Sequence, residues 1–125
     1  MNVRHETRPI VPEQELISLG LQAFQGLGLN EQNAQDVVEV LVLADLFGLS
    51  THGLSRVESY GERLAVGGIA KNPDITVERV APALVKVDGA NGVGPLVGMH
   101  GLRAAMEVAR EYGICLLYTS DAADE

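Results

Sequence analysis

Tryptophan is missing from this 125-residue chain, cysteine occurs once, and Phe and Tyr contribute only two and three residues. A single thiol cannot build an internal disulfide or a thiolate-held zinc site, so the fold has no staple of that kind. Basic residues are scarce too, 9 against 17 acids for a net charge of −8, which excludes a surface organised to grip a phosphate backbone. No apolar run reaches the ~18 residues of a membrane helix, and Met1-Asn2-Val3-Arg4-His5-Glu6 lacks the apolar stretch of a signal peptide. The expectation is a cytoplasmic protein with neither nucleic acid nor membrane as partner. Zinc, phosphate-loop and nucleophile-elbow spacings are absent from the sequence, so no metal site is expected.

What remains is an aliphatic chain, 46% hydrophobic and 21% charged, long enough for one modest core. Residues 1–11 are polar and without period, and read as a flexible arm that includes a solvated His5. From Pro12 the run Glu13-Gln14-Glu15-Leu16-Ile17 opens a helix with two acids near its positive end. Leu16, Gly20, Ala23, Phe24 and Leu27 then recur at helical spacing until Gly26 and Gly28 end it. Asn30 suits an N-cap for a second helix running to about Phe47, where Gly48 fits a left-handed stop. The consecutive apolar residues Val40 to Ala44 imply that this helix is enclosed on most sides at that end.

Helical residues Glu62 to Val66 should stop at Gly67-Gly68. Lys71 to Asp74 reads as a turn, and 75–80 and 83–88 as two strands of a hairpin joined at Ala81-Pro82. A last helix spans about Leu96 to Tyr112, with Met99, Leu102, Met106 and Ala109 as its apolar stripe, His100 at its boundary and Gly113 as its stop. The fold class is therefore α+β: an N-terminal helical segment, a small β-hairpin and a further helix.

Between these elements lies one polar cluster, Asp45 through Tyr60, that begins where the long apolar helix ends. If helix follows Gly53, then His52, Arg56 and Tyr60 fall at i, i+4 and i+8 and share a face. Those groups match what reduction of a 2-oxo acid asks of a protein: a proton donor with a pKa near 6.5, a guanidinium for the carboxylate and an orienting phenol. The same trio also suits a solvated helix face or a satisfied polar cluster. Asp45, next to the apolar run, needs a partner, and Arg56, His52 or the backbone amides after Gly48 are all within plausible reach.

Gly92, Gly94 and Gly98 lie between a strand and a helix and imitate a dinucleotide-binding loop. That reading is rejected on three counts: the glycines start past the strand, no parallel unit flanks them, and no acid follows about 20 residues on.

The segment Ala44-Asp45 to Gly48, Thr51-His52-Gly53, Arg56 and Tyr60 resembles the N-terminal signature of the malate/L-lactate dehydrogenase family, NAD(P)-dependent 2-hydroxy acid oxidoreductases unrelated to the Rossmann type. The resemblance continues through Gly67-Gly68-Ile69, Asp88-Gly89, Gly92-Val93-Gly94 and Ala109 to Ile114. It implies that residues 12–114 are the N-terminal part of a dehydrogenase domain of the non-Rossmann fold. It also implies His52 as catalytic acid/base, with Thr51, Arg56 and Tyr60 binding the substrate. NAD or NADP would be held by segments beyond residue 114, and the complete enzyme would be a homodimer. Thr51 stands where the family most often has serine, which keeps the hydroxyl and adds a methyl. The alternative is a small helical interaction module without catalysis, whose reading frame would stop rather than continue after residue 114.

Residues 115–125, Cys115 to Glu125, depart from the buried strand that the resemblance leads one to expect. They read as an in-frame translation of a transposase-type sequencing adapter, opening TGT CTC TTA TAC ACA TCT. On that reading the single cysteine is foreign, and removing the tail's three acids leaves 14 acidic against 9 basic residues. The expected outcome of sequencing the gene is that those adapter codons encode residues 115–125; different codons there would refute a foreign origin.

Overall fold

A computed structural model describes residues 9–119, so His5 with most of the expected arm, and the acidic end of the tail, lie outside the described residues. Helix α1 (Glu13–Gly26) begins directly after Pro12, with Glu13 and Glu15 in its first turn. Its close approach to the next helix runs through Gly20, where a Cβ would meet Val38 and Leu54 at 3.0 Å. Asn30 caps α2 (Glu31–Leu46) by accepting the Asn33 amide at 2.8 Å, and Gly48 terminates it with φ +78°.

The core is aliphatic except for one ring. Phe24 meets Ala34, Val37, Val38, Leu41 and Val42 of α2, joined by Leu29, Leu64, Val93 and Leu96. The apolar run at the end of α2 is not enclosed as its composition suggests. Leu41 and Val42 are buried, but Leu43, Leu46 and Phe47 are exposed, Phe47 at 73%. An unbroken run covers every side of a helix, whereas only some sides of α2 have neighbours. Leu43 and Leu46 instead line an open groove with Ile17, Leu21, Val38 and Val42.

After two 3₁₀ turns, Ser50–His52 and Leu54–Arg56, helix α3 (Val57–Ala65) buries Leu64 and stops before Gly67 at φ +74°. Strands β1 (Thr76–Ala81) and β2 (Leu84–Asp88) form the expected antiparallel hairpin. Helix α4 (Gly94–Tyr112) follows and closes on Gly113 at φ +80°, whose amide bonds the Ala109 carbonyl at 2.7 Å. Strand β3 (Leu116–Thr119) then pairs parallel to β2, giving the order β1-β2-β3. That pairing corrects the expectation that no parallel unit flanks the glycine loop. It rests on backbone hydrogen bonds, such as Leu116 N–H to the Ala83 carbonyl at 2.7 Å, which leave no signature in side-chain pattern.

The stripe expected on α4 is also displaced. Leu102 and Met106 are half exposed, and the fully buried positions are Leu96, Gly101 and Val108. The sheet sets this rotation, because a Cβ at Gly101 would lie 3.1 Å from Leu117 and 3.3 Å from Val87. Close packing on small residues thus outweighs the larger apolar side chains one position away.

The same rotation points Arg103 at α2. Its guanidinium clamps Asp36 in two parallel bonds of 2.7 and 2.5 Å, with Gln32 donating to the same carboxylate at 3.2 Å. Asp36 is 1% exposed and is the sole buried charged residue among those described. Hydrogen bonding to Arg103 holds its carboxyl below the usual 3.8, against the opposing effect of burial. The unfolded carboxyl titrates near 3.8, so the stability this pair adds is complete above that value and is lost as pH falls through the lower folded pKa. Arg103→Ala leaves a buried carboxylate with Gln32 alone and should cost about 1–3 kcal/mol in chemical denaturation at pH 7, discounted because the guanidinium is half exposed. The deficit should shrink below about pH 4, once the carboxyl is protonated; a variant as stable as the parent at pH 7 would show that the clamp contributes nothing.

Candidate active site

The polar cluster is built on the end of α2. Gly48, in the left-handed region, and Leu49 return their amides to the carbonyls of Asp45 (2.9 Å) and Ala44 (2.8 Å), which turns the chain back over the helix. His52 ends the first 3₁₀ turn, its amide bonded to the Leu49 carbonyl at 2.8 Å. Gly53 is extended, φ −87° and ψ −159°, and the second turn runs into α3. A continuous helix therefore carries Arg56 and Tyr60 but not His52. The expected i, i+4, i+8 face breaks at Gly53, and the imidazole comes from a separate turn.

Of the three partners open to Asp45, the structure selects the backbone. Its Oδ2 accepts the Leu54 amide at 2.8 Å, and no hydrogen bond or ion pair joins it to His52 or Arg56 among the described residues. A Cβ on Gly53 would fall inside this carboxylate, so glycine is obligatory there for a steric reason. Ser55 donates its hydroxyl to the Ser50 carbonyl at 2.9 Å, a second strut between the two turns.

Thr51, His52 and Arg56 are exposed, and Tyr60 is half buried with its ring against the core. The Thr51 hydroxyl lies 2.9 Å from His52 Nδ1, so one ring nitrogen is engaged, while Nε2 has no partner among the described residues. Arg56 likewise makes no ion pair among the described residues. The groove beside the loop is lined by Ile10, Leu16, Val42, Asp45, Leu54 and Ser55 among others, and not by His52, Arg56 or Tyr60. None of the three lines that groove.

In the glycine loop, Gly89 and Gly92 are packed against the protein itself, while Gly94 and Gly98 have open space beside them. A Cβ at Gly89 would meet Val97 at 2.7 Å and one at Gly92 would meet Pro73 at 2.6 Å, so these glycines make space for the protein's own side chains. Ala90 and Asn91 between them are left-handed, held by Asp88 Oδ1 on the Ala90 amide and by Asn91 bonds to Gly68 and Ala70. At Gly89 to Gly92 the loop is a structural corner. Two features escaped the sequence reading: Gly53 as the seat of Asp45, hinted at only by a glycine directly after His52, and the Asp36–Arg103 clamp, for which no local signal exists.

The family model described as malate/L-lactate dehydrogenase matches residues 11–123, and the chain belongs to that family. A malate dehydrogenase of Pyrococcus abyssi is 36% identical over 104 residues, 83% of this chain and 29% of that protein. The ureidoglycolate dehydrogenase (NAD(+)) of Escherichia coli K12 is 33% identical over 90 residues, 72% of this chain and 26% of that protein. Among solved structures, malate dehydrogenase from Pyrococcus horikoshii superposes with a TM-score of 0.85 at 32% identity, over 91% of this chain and 33% of that one. The chain spans about a third of the length of these relatives.

Proposed function

We propose that this chain is the N-terminal part of an oxidoreductase that transfers hydride between NAD or NADP and the 2-carbon of a small 2-hydroxy/2-oxo carboxylic acid, malate, lactate or a near analogue. The observation that carries this reading is the pairing of Thr51 with His52 Nδ1, which leaves Nε2 available on an exposed turn four residues before Arg56 in the chain. In the reducing direction the imidazolium gives its Nε2 proton to the carbonyl oxygen as the 2-carbon gains hydride. The remaining Nδ1–H donates to the Thr51 hydroxyl, which holds the ring in one tautomer. Arg56 meets the carboxylate in two parallel bonds and stays charged throughout, and Tyr60, its ring fixed against the core, orients the substrate from the next turn.

The cofactor is held by parts of the enzyme beyond residue 114. Those parts, or a second subunit of a cytoplasmic homodimer, supply the wall that excludes water, so the isolated chain is inactive. The mixed names of the relatives support the reaction class and leave the acid's identity to those missing walls.

In the full-length enzyme carrying this segment, His52→Ala should lower kcat by about 10²–10⁴-fold while substrate still binds. Arg56→Gln should instead raise KM for the acid, by about 10-fold or more for loss of a charge-assisted pair. Steady-state kinetics with a panel of 2-oxo acids decides it, and near-normal turnover by His52→Ala removes the acid/base assignment.

A further inference from the structure

We propose that Asp45 is a positioning residue for the proton donor, acting through Gly53, an inference that rests on the catalytic reading of His52. His52 and Arg56 lie on separate turns on either side of extended Gly53, bridged by the Ser55 hydroxyl on the Ser50 carbonyl. The Asp45 carboxylate ties this pair of turns to α2. It stands on the last turn of α2, just after buried Leu41 and Val42, and so takes its position from the core. It receives the first amide of the second turn, Leu54 N–H, at 2.8 Å, while its own carbonyl receives the Gly48 amide at 2.9 Å, tying both ends of the intervening loop to one residue.

The fit is steric as well as polar. The space any side chain on Gly53 would need is filled by the carboxylate, so the two turns close on Asp45 only with glycine between them. The hydrogen bond also satisfies an amide that the extended Gly53, having no side chain, cannot cap. No hydrogen bond or ion pair joins Asp45 to His52 or Arg56 among the described residues, and it takes no part in proton transfer.

The test is a set of variants in the full-length enzyme: Asp45→Asn, Asp45→Ala, Gly53→Ala and His52→Ala, with the double variants in the His52→Ala background. Asp45→Asn keeps an oxygen for the Leu54 amide and should stay within about threefold of parent kcat. Asp45→Ala and Gly53→Ala should each lower kcat about 10–100-fold, with KM for the cofactor unchanged. Neither should lower the residual rate of His52→Ala further, because both act through the imidazole. Equal losses with and without His52 would overturn the proposal, as would full turnover by Gly53→Ala. If Asp45→Ala does not fold, Gly53→Ala and Asp45→Asn carry the same comparison. Near-normal turnover by His52→Ala would instead sink the catalytic reading itself, an outcome distinct from a catalytic His52 that is indifferent to Asp45.

Discussion

A carboxylate at the end of α2 takes the amide of Leu54 and occupies the volume that any side chain on Gly53 would need, and the polar loop is shaped by that one contact. Without it, the second turn would be held to the first by extended Gly53 and the Ser55–Ser50 bond, with no tie to α2 at Leu54. With it, an imidazole and a guanidinium are referred to a helix whose inner face is packed against Phe24. The position of an exposed loop is thus taken from the core, which is how a solvent-accessible side chain can still be placed.

Helix α2 does this twice. Asp45 ties it to the loop that follows, and Asp36 ties it to α4 through Arg103, two tertiary bonds made by its own acids. Between them lies the apolar face that makes the core, and beside them the exposed Leu43, Leu46 and Phe47 that this chain leaves uncovered. The helix is thus buried on one side, apolar and exposed on another, and acidic at two points.

Much of this was legible in the sequence wherever the signal is local. Asn30 as a cap, Gly48 and Gly113 as left-handed stops, and the hairpin turn at Pro82 each follow from the conformational limits of one residue. Facing was harder. Leu102 and Met106 look like the buried side of α4, but Gly101 lets the sheet approach closer on another side, and a glycine carries no hydrophobic signal. The run Val40 to Ala44 says that a helix is apolar all round, not which sides have neighbours. Arg103 and Asp36, 67 residues apart, are joined only by tertiary packing. At the site itself, residue types and their order pointed to His52 and Arg56, while the helical spacing that suggested a shared face was broken by Gly53. The resemblance led to a strand after Ile114, and β3 forms there at Leu116–Thr119, but its parallel pairing with β2 has no mark in the side-chain pattern because backbone makes that bond.

The account stands on His52 and Arg56 meeting one bound acid together. A crystal structure of the full-length enzyme that carries this segment, with an unreactive 2-oxo acid analogue bound, measures this directly. The predicted result is His52 Nε2 about 2.7–3.2 Å from the oxygen on the 2-carbon, with the Arg56 guanidinium paired to the carboxylate in two bonds. An analogue bound with both side chains turned to solvent would contradict it.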